Sequence, residues 1–336
     1  MEESKFKALI VEETEIGKFR RYIGEKSISD LPKGEVLIKV MASAINRADI
    51  LQRRGLYPAP KDAPERILGL EFSGEVIAIG EKVSKFRVGD RVFGIVSGGA
   101  QAEMIVSRED LLMKIPENLS FIEAAAIPEA FITAHDAIFT LGKLQPSESI
   151  LIHAVGSGVG LAALQLAKTV NARTFGTSRS KEKLEKCFQF GLDEAILMKE
   201  EINFAEIIRA ETAGKGVELI IDLVGASYFQ MNLESLALKG RLILVGLTGG
   251  SKAEFNLGVA LSKRLRIIGT VLRSRSFEEK VEATKKFAEY ALPLFRSGKL
   301  KPNVDVVFKM NQIMQAHEYV ESNKNFGKVV LVISDN

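Results

Sequence analysis

Apolar and polar positions change their rhythm twice along this chain. Up to about residue 120 the apolar residues come in short runs bounded by turn formers, which predicts strands at Lys5–Val11, Glu35–Ala44, Phe72–Ile79 and Asp90–Ile95. The turn Leu31-Pro32-Lys33-Gly34 precedes the second strand, and Gly80-x2-Val83-x2-Phe86-x2-Gly89-Asp90 separates the last two, the punctuation of a compact β-barrel. From about Ser120 helical stretches alternate with short apolar strands. The strands are expected at Ser149–His153, Ala172–Thr177, Glu194–Leu197, Leu219–Leu223 and Arg241–Val245, with helices such as Val159–Val170 and Lys181–Gly191 between them. Such alternation implies a parallel sheet with right-handed crossovers. After Ile268 it stops: a helix is expected over Glu278–Ser297, a strand at Val304–Phe308, a helix at Met310–Asn323 and a closing strand at Lys328–Ile333. The fold class is therefore α/β, a β-rich domain interrupted by a doubly wound parallel-sheet domain and completed after it.

Composition narrows the setting. With 46% hydrophobic and 26% charged residues over 336 positions, the chain reads as globular, with enough length for two cores. A net charge of +3, with basic residues spread along the chain, argues against a nucleic-acid partner. No run approaches the roughly 18 apolar residues of a membrane span, and Met1-Glu2-Glu3-Ser4-Lys5 lacks a signal peptide's apolar core, so a cytoplasmic protein without membrane contact is expected. The single cysteine, Cys187, excludes an internal disulfide and a cysteine-rich zinc lobe, and its place in a helical run fits a buried structural thiol. His135, His153 and His317 show no metal-ligand spacing, and His153, ending a buried strand, reads as a satisfied structural histidine.

The chemistry is concentrated after the first strand of the alternating region. Ser149–Ala154 runs straight into Val155-Gly156-Ser157-Gly158-Val159-Gly160 and then a helix. In this context glycines let the backbone approach a pyrophosphate, while helix N-terminal amides point at its charge. At the end of the second strand an acidic residue would accept from the ribose of NAD. The chain instead reads Gly176-Thr177-Ser178-Arg179-Ser180-Lys181-Glu182-Lys183, and Ser178, Arg179 and Lys183 suit a 2′-phosphate, hence NADPH. The competing reading makes Arg179 and Lys183 solvated charges at a helix start.

Several unconnected segments carry a family resemblance: Asn46-Arg47-Ala48-Asp49-Ile50-Leu51-Gln52-Arg53, Gly55-Leu56-Tyr57-Pro58, Gly69-Leu70-Glu71-Phe72-Ser73-Gly74, Ala124-Ala125-Ala126-Ile127-Pro128-Glu129-Ala130, Leu272-Arg273-Ser274-Arg275 and Asn323-Lys324-Asn325-Phe326-Gly327-Lys328. In this order they resemble the zinc-free quinone oxidoreductase, or zeta-crystallin-like, branch of the medium-chain dehydrogenase/reductase superfamily, closest to the tumour-suppressor-induced type. The resemblance implies a GroES-like catalytic domain over 1–126 and 270–336 and a Rossmann NADPH-binding domain over 127–269. Asn46, Leu70 and Glu129 stand where zinc-dependent relatives place cysteine, histidine and cysteine, so no metal is expected.

The family register of the glycine loop is Ala154-x-x-Ser157-x-x-Gly160, with Ser157 in place of a common glycine, and Met198 replaces a tyrosine that packs on the adenosine phosphate. Carried over by position, Thr133, Val224 with Gly225, Gly246, Leu247, Thr248, Leu272 and Lys328 are further cofactor contacts, Lys328 as a counter-charge to pyrophosphate unless it is a solvated strand-start lysine. Asn46 and Tyr57 are the expected hydrogen-bond donors to substrate, against alternatives as a turn or cap residue and an amphipathic loop residue. Asp49 either orients Arg53 or caps the following helix. The implied activity is zinc-independent hydride transfer from NADPH to a quinone. A second reading is an enone or enoyl-thioester reductase, with Tyr57 as proton donor and Arg53 and Arg54 hinting at a groove for carrier phosphates. A third is a non-enzymatic, structural or RNA-associated NADPH-binding protein. A homodimer or homotetramer joined through the strand near Arg266–Leu272 is the expected assembly.

Overall fold

The computed structural model describes residues 4–15, 18–28, 31–61, 63–64 and 66–334; the reading of residues 1–3 as free of a signal sequence lies outside them. The chain begins β1 (Ser4–Glu15), β2 (Lys18–Ile28), β3 (Glu35–Ile45), α1 (Arg47–Arg53), β4 (Glu71–Ile79), β5 (Arg91–Ile95), β6 (Met104–Arg108), β7 (Leu112–Lys114), α2 (Phe121–Ala125) and α3 (Pro128–His135). It continues β8 (Ser149–Ile152), α4 (Gly158–Thr169), β9 (Arg173–Ser178), α5 (Lys181–Cys187), β10 (Glu194–Leu197), α6 (Phe204–Glu211) and β11 (Val217–Asp222). Next come α7 (Phe229–Ser235), β12 (Leu236–Leu244), α8 (Leu257–Lys263), β13 (Arg266–Gly269), α9 (Phe277–Arg296), β14 (Val304–Lys309), α10 (Ile313–Glu321) and β15 (Lys328–Val332).

The chain forms two compact units, one running through Ile132 and resuming at Leu272, the other spanning Thr133–Val271. The first holds a seven-stranded sheet in the order β14-β15-β3-β4-β5-β7, with β6 pairing β3 beside this path, and it has the GroES-like architecture. β3 is its hub, antiparallel to β4, β6 and β15 at once. That centrality explains its burial pattern, in which Val36, Ile38, Val40 and Ala42 are all sealed from solvent. Val36, Ile38 and Val40 meet Leu68, Phe72, Val76, Val92 and Leu331 in one core, which α10 closes with Ile313, Ala316 and Val320, while Ala42 packs with Ala125, Ala126 and Val330.

The second unit is a six-stranded parallel sheet, β10-β9-β8-β11-β12-β13, of Rossmann type. Leu151, Phe175, Ile196 and Ile220 from four strands pack with Phe204 and Ile208 of α6. Order reverses between β8 and β11, the switch point beyond which ligands bind in such sheets.

The first unit departs from the sequence reading, which lacks β2, β6 and β7. β1 is longer than Lys5–Val11 and pairs antiparallel with β2, for which no strand was expected. The β2 sequence carries Lys18, Arg20, Arg21, Glu25 and Lys26, so its pairing comes from backbone hydrogen bonds to β1 and leaves little apolar alternation to read.

Candidate active site

In the first unit, Asn46, Glu71, Glu129 and Lys328 converge from four separate segments. Glu71, at the head of β4, is completely buried. Its Oε1 accepts from Asn46 Nδ2 at 2.8 Å and pairs with Lys328 Nζ at 2.7 Å, while its Oε2 accepts from the Glu129 amide at 2.8 Å. Lys328 Nζ also donates to Asn46 Oδ1 at 2.6 Å and to the Ile45 carbonyl at 3.3 Å. An ammonium has three protons, and all three have acceptors here. This corrects the reading of Lys328 as a solvated strand-start lysine: at 5% exposure its ammonium is buried and held by these bonds.

Asn46 follows β3 and is the N-cap of α1. Its carboxamide is committed to Glu71 and Lys328, and its backbone amide donates to Asp49 Oδ2 at 2.8 Å. Asp49 thus caps α1, and its Oδ1 accepts from the Gly69 amide at 3.0 Å, tying the helix to the turn before β4. Arg53 pairs with Glu321, as does Arg54. Burial pushes the Asp49 carboxyl up to about 6, against the pull of the two amides.

Tyr57 is half-buried, with the Arg273 guanidinium 5.4 Å from its ring centroid. Arg273 is fixed by Ser97 O at 2.8 Å and Gln52 Oε1 at 2.7 Å. Burial raises the phenol above its ordinary range, with the Glu129 carboxyl adding to the rise. The Glu129 carboxyl itself is pushed up to about 8, first by burial and then by the neighbouring Glu71. The Tyr57 hydroxyl makes no hydrogen bond to the described residues, so of the two expected donors it is the one whose donor group remains free.

The metal positions follow the same pattern. Leu70 is buried at 1% exposure, the Asn46 carboxamide is committed to an ammonium and a carboxylate, and Glu129 has beside it only Glu71, which is already paired with Lys328. Among the described residues no group of three or more His, Cys, Asp or Glu side chains can hold a metal ion. The donor set does not fit zinc.

The second unit gathers most of the expected nucleotide residues beyond the carboxyl ends of its strands. β8 leads into Ala154, held at a left-handed φ of 46°, then to Gly156, and Ser157 begins α4. The Ser157 hydroxyl oxygen accepts from the Gly160 amide at 3.1 Å, leaving its proton free to donate outward, and Gly158, Val159 and Gly160 form the first helical turn. A Cβ at Gly160 would lie 2.5 Å from the Ala154 carbonyl oxygen, so only glycine allows this close approach of helix to strand. These features fit a pyrophosphate.

At the end of β9, Ser178 accepts from the Ser180 amide, Arg179 is exposed, and Lys183 lies in the first turn of α5, with its amide bonded to Ser180 Oγ. The Val224 and Gly225 amides both donate to Asp222 Oδ1, at 2.7 and 2.9 Å, and Gly246 N donates to the Asp222 carbonyl. Thr248 Oγ1 bonds the Leu223 carbonyl, and Leu247 is exposed. Thr133 is partly exposed on α3, Leu272 is buried where the chain re-enters the first unit, and Met198 packs into the second unit's core.

Sequence reasoning passed over Glu71, Arg273 and Asp222. Glu71 and Asp222 carry a signal, a carboxylate at the end of an otherwise apolar strand, where only internal donors can satisfy it.

The family described as "Alcohol dehydrogenase GroES-like domain" matches residues 32–117, and "Zinc-binding dehydrogenase" matches residues 158–289. A "Quinone oxidoreductase-like protein 2 homolog" of Nematostella vectensis is 32% identical over 320 residues, 94% of this chain and 87% of that one. A "Synaptic vesicle membrane protein VAT-1 homolog" of Danio rerio is 32% identical over 319 residues, 90% of this chain, which spans 64% of that protein's length. Among solved structures, a quinone oxidoreductase of Pseudomonas syringae pv. Tomato DC3000 superposes with a TM-score of 0.84 at 27% identity, covering 97% of this chain and 100% of that one. The JamJ enoyl reductase gives 0.83 at 28% identity, covering 98% and 100%.

Proposed function

Because the chain belongs to the quinone oxidoreductase branch of the medium-chain dehydrogenase/reductase superfamily, we propose that it is a zinc-independent NADPH:quinone oxidoreductase. The observation that carries this reading is the Lys328 ammonium held between Asn46 Oδ1 and Glu71 Oε1. An amide, a buried leucine and the Glu129 carboxyl take the place of a zinc ligand set, so the substrate carbonyl must be activated by hydrogen bonding. A quinone suits that limit, since hydride addition makes its ring aromatic and leaves only a developing phenolate to stabilise.

Tyr57 is the donor to that oxygen. Asn46 is a positioning residue that holds Glu71 and Lys328 in register. Ala154, Gly156, Ser157, Gly158, Val159 and Gly160 would hold the pyrophosphate; Ser178, Arg179 and Lys183 the 2′-phosphate; and Val224, the Gly246–Thr248 loop, Thr133 and Leu272 the nicotinamide half. NADPH when bound supplies the hydride. The protein works on a small molecule, without nucleic acid or membrane, in the cytoplasm as a homodimer.

An enone or enoyl-thioester reductase is the second reading, supported by the likeness to an enoyl reductase. The quinone is preferred because Arg53 is buried and shares Glu321 with Arg54, so one net positive charge, on the exposed Arg54 side, is all that stands there for a thioester's carrier phosphates. The test is oxidation of NADPH and of NADH followed against ortho-quinones, para-quinones, 2-enals and enoyl thioesters. Faster quinone reduction with NADPH is expected. Equal rates with NADH would sink the Ser178, Arg179 and Lys183 assignment, activity confined to enals or thioesters would replace the quinone, and NADPH binding without any turnover would favour a non-enzymatic role. Tyr57→Phe should lower kcat more than it raises KM.

A further inference from the structure

Three carboxyls of the first unit, Asp49, Glu71 and Glu129, share one electrostatic neighbourhood with two cations, Lys328 and Arg273, and with the Tyr57 phenol. Asp49, Glu71, Lys328 and Arg273 are all at least nine-tenths buried. Three acids against two permanent or paired bases leave one negative charge unbalanced, and a buried site of this kind sheds such a charge by keeping a proton.

Hydrogen bonding decides which carboxyl keeps it. Asp49 accepts from the amides of Asn46 and Gly69, one on each oxygen. Glu71 accepts from Asn46, Lys328 and the Glu129 amide, so both of its oxygens are also served. The Glu129 carboxyl accepts from none of the described residues. It sits in the first turn of α3 with its own amide donating to Glu71, and its charge is felt by the Tyr57 phenol. As a residue it is partly exposed, where Asp49 and Glu71 are sealed from solvent.

We propose that Glu129 is the proton donor of the reduction, handing its carboxyl proton to the substrate oxygen directly or through the Tyr57 hydroxyl. This rests on the quinone-reductase reading above. Reduction of a quinone to a hydroquinone takes a hydride and a proton. The hydride comes from NADPH and brings both electrons. The Glu129 O–H bond breaks, an O–H bond forms on the reduced quinone's oxygen, and Glu129 is left as a carboxylate beside Glu71. The repulsion between the two favours its reprotonation from water. Tyr57 alone is a weaker source, since its phenol is held above its ordinary range and a proton lost from it must be replaced.

The test uses the purified full chain and Glu129→Gln, which keeps the amide that Glu71 needs. Infrared difference spectra taken without substrate should show a protonated carboxyl at pH 7 that titrates near pH 8, the value of about 8 expected for Glu129, and that is missing from the variant. Single-turnover NADPH oxidation by a quinone should fall about 100-fold or more in Glu129→Gln. The wild-type rate should drop as pH rises past 8, and the variant should lose that limb while keeping any limb from Asp49. Glu129→Asp should recover the infrared band and part of the rate. Absence of the band from wild type, its persistence in Glu129→Gln, or matching pH profiles would overturn the proposal. Because the infrared titration needs no acceptor, a protein that shows the band yet reduces no quinone overturns the quinone reading and not the assignment of the proton.

Discussion

Replacing Lys328 by methionine removes the cation from a completely buried carboxylate, leaving Glu71 with two neutral donors. Breaking such a pair from one side costs about 3–5 kcal/mol, so urea unfolding should show a loss of that order. Lys328→Met combined with Glu71→Gln should recover much of it, since no lone charge remains; additive losses would mean the two residues are not coupled. Glu129 acts in the opposite sense. Its folded-state pKa of about 8 lies above the ordinary 4.5, so the native chain holds a proton that the unfolded chain has released. Wild-type stability should fall as pH rises from 4.5 to 8, on the order of 1 kcal/mol per pH unit, and Asp49 adds to the fall between 3.8 and about 6. Glu129→Gln should therefore gain on wild type from pH 5 to pH 8, and parallel unfolding curves across that range would refute the assignment. Cys187 is fully buried with its thiol pushed up to about 12, and should react with a disulfide reagent at pH 8 only after unfolding.

At the scale of elements, α4 carries the nucleotide loop and is held by one cap. Ser157→Ala removes the acceptor of the Gly160 amide and should cost about 1 kcal/mol in thermal unfolding, Ser157→Gly only a few tenths. The alanine variant should also weaken NADPH binding in calorimetry; unchanged affinity would confine Ser157 to capping. Behind the loop, His153 Nε2 donates to Asn232 Oδ1 at 2.6 Å and its Nδ1 lies 2.9 Å from Thr177 Oγ1, while Asn232 Nδ2 reaches Asp222 Oδ2 at 3.0 Å. Burial lowers its pKa, so it stays neutral and ties β8, β9, β11 and α7 together. A histidine at the end of a buried strand was legible as structural; its partners, up to 79 positions away, were not.

For the molecule as a whole, β13 is an edge strand of the parallel sheet, with Ile267 exposed at 40%. On α8, which follows β12 and precedes it, Leu257 and Leu261 are exposed at 72% and 79%. In the proposed homodimer this edge and these side chains would form the interface. Ile267→Lys with Leu261→Glu should convert a dimer to a monomer in sedimentation velocity without unfolding it; a double variant that remains dimeric would place the interface elsewhere. Among the described residues no helix is long and apolar enough to cross a membrane.

Local rules determined much of this from the sequence. Alternating strands and helices and a glycine loop between β8 and α4 are set by residues near one another in the chain, where periodicity and turn chemistry act; the three positions without zinc ligands were legible only through the family resemblance. The charge state of the site was decided by tertiary structure alone. Glu71 and Lys328 stand 257 positions apart in a sequence where each could be a surface charge, and only folding removes water from both and forces them to meet. Glu129 looked like a replaced ligand because its neighbours in sequence say nothing of Glu71 or Tyr57. Burial in their company, beside two carboxyls already served by donors, makes it an acid that keeps its proton.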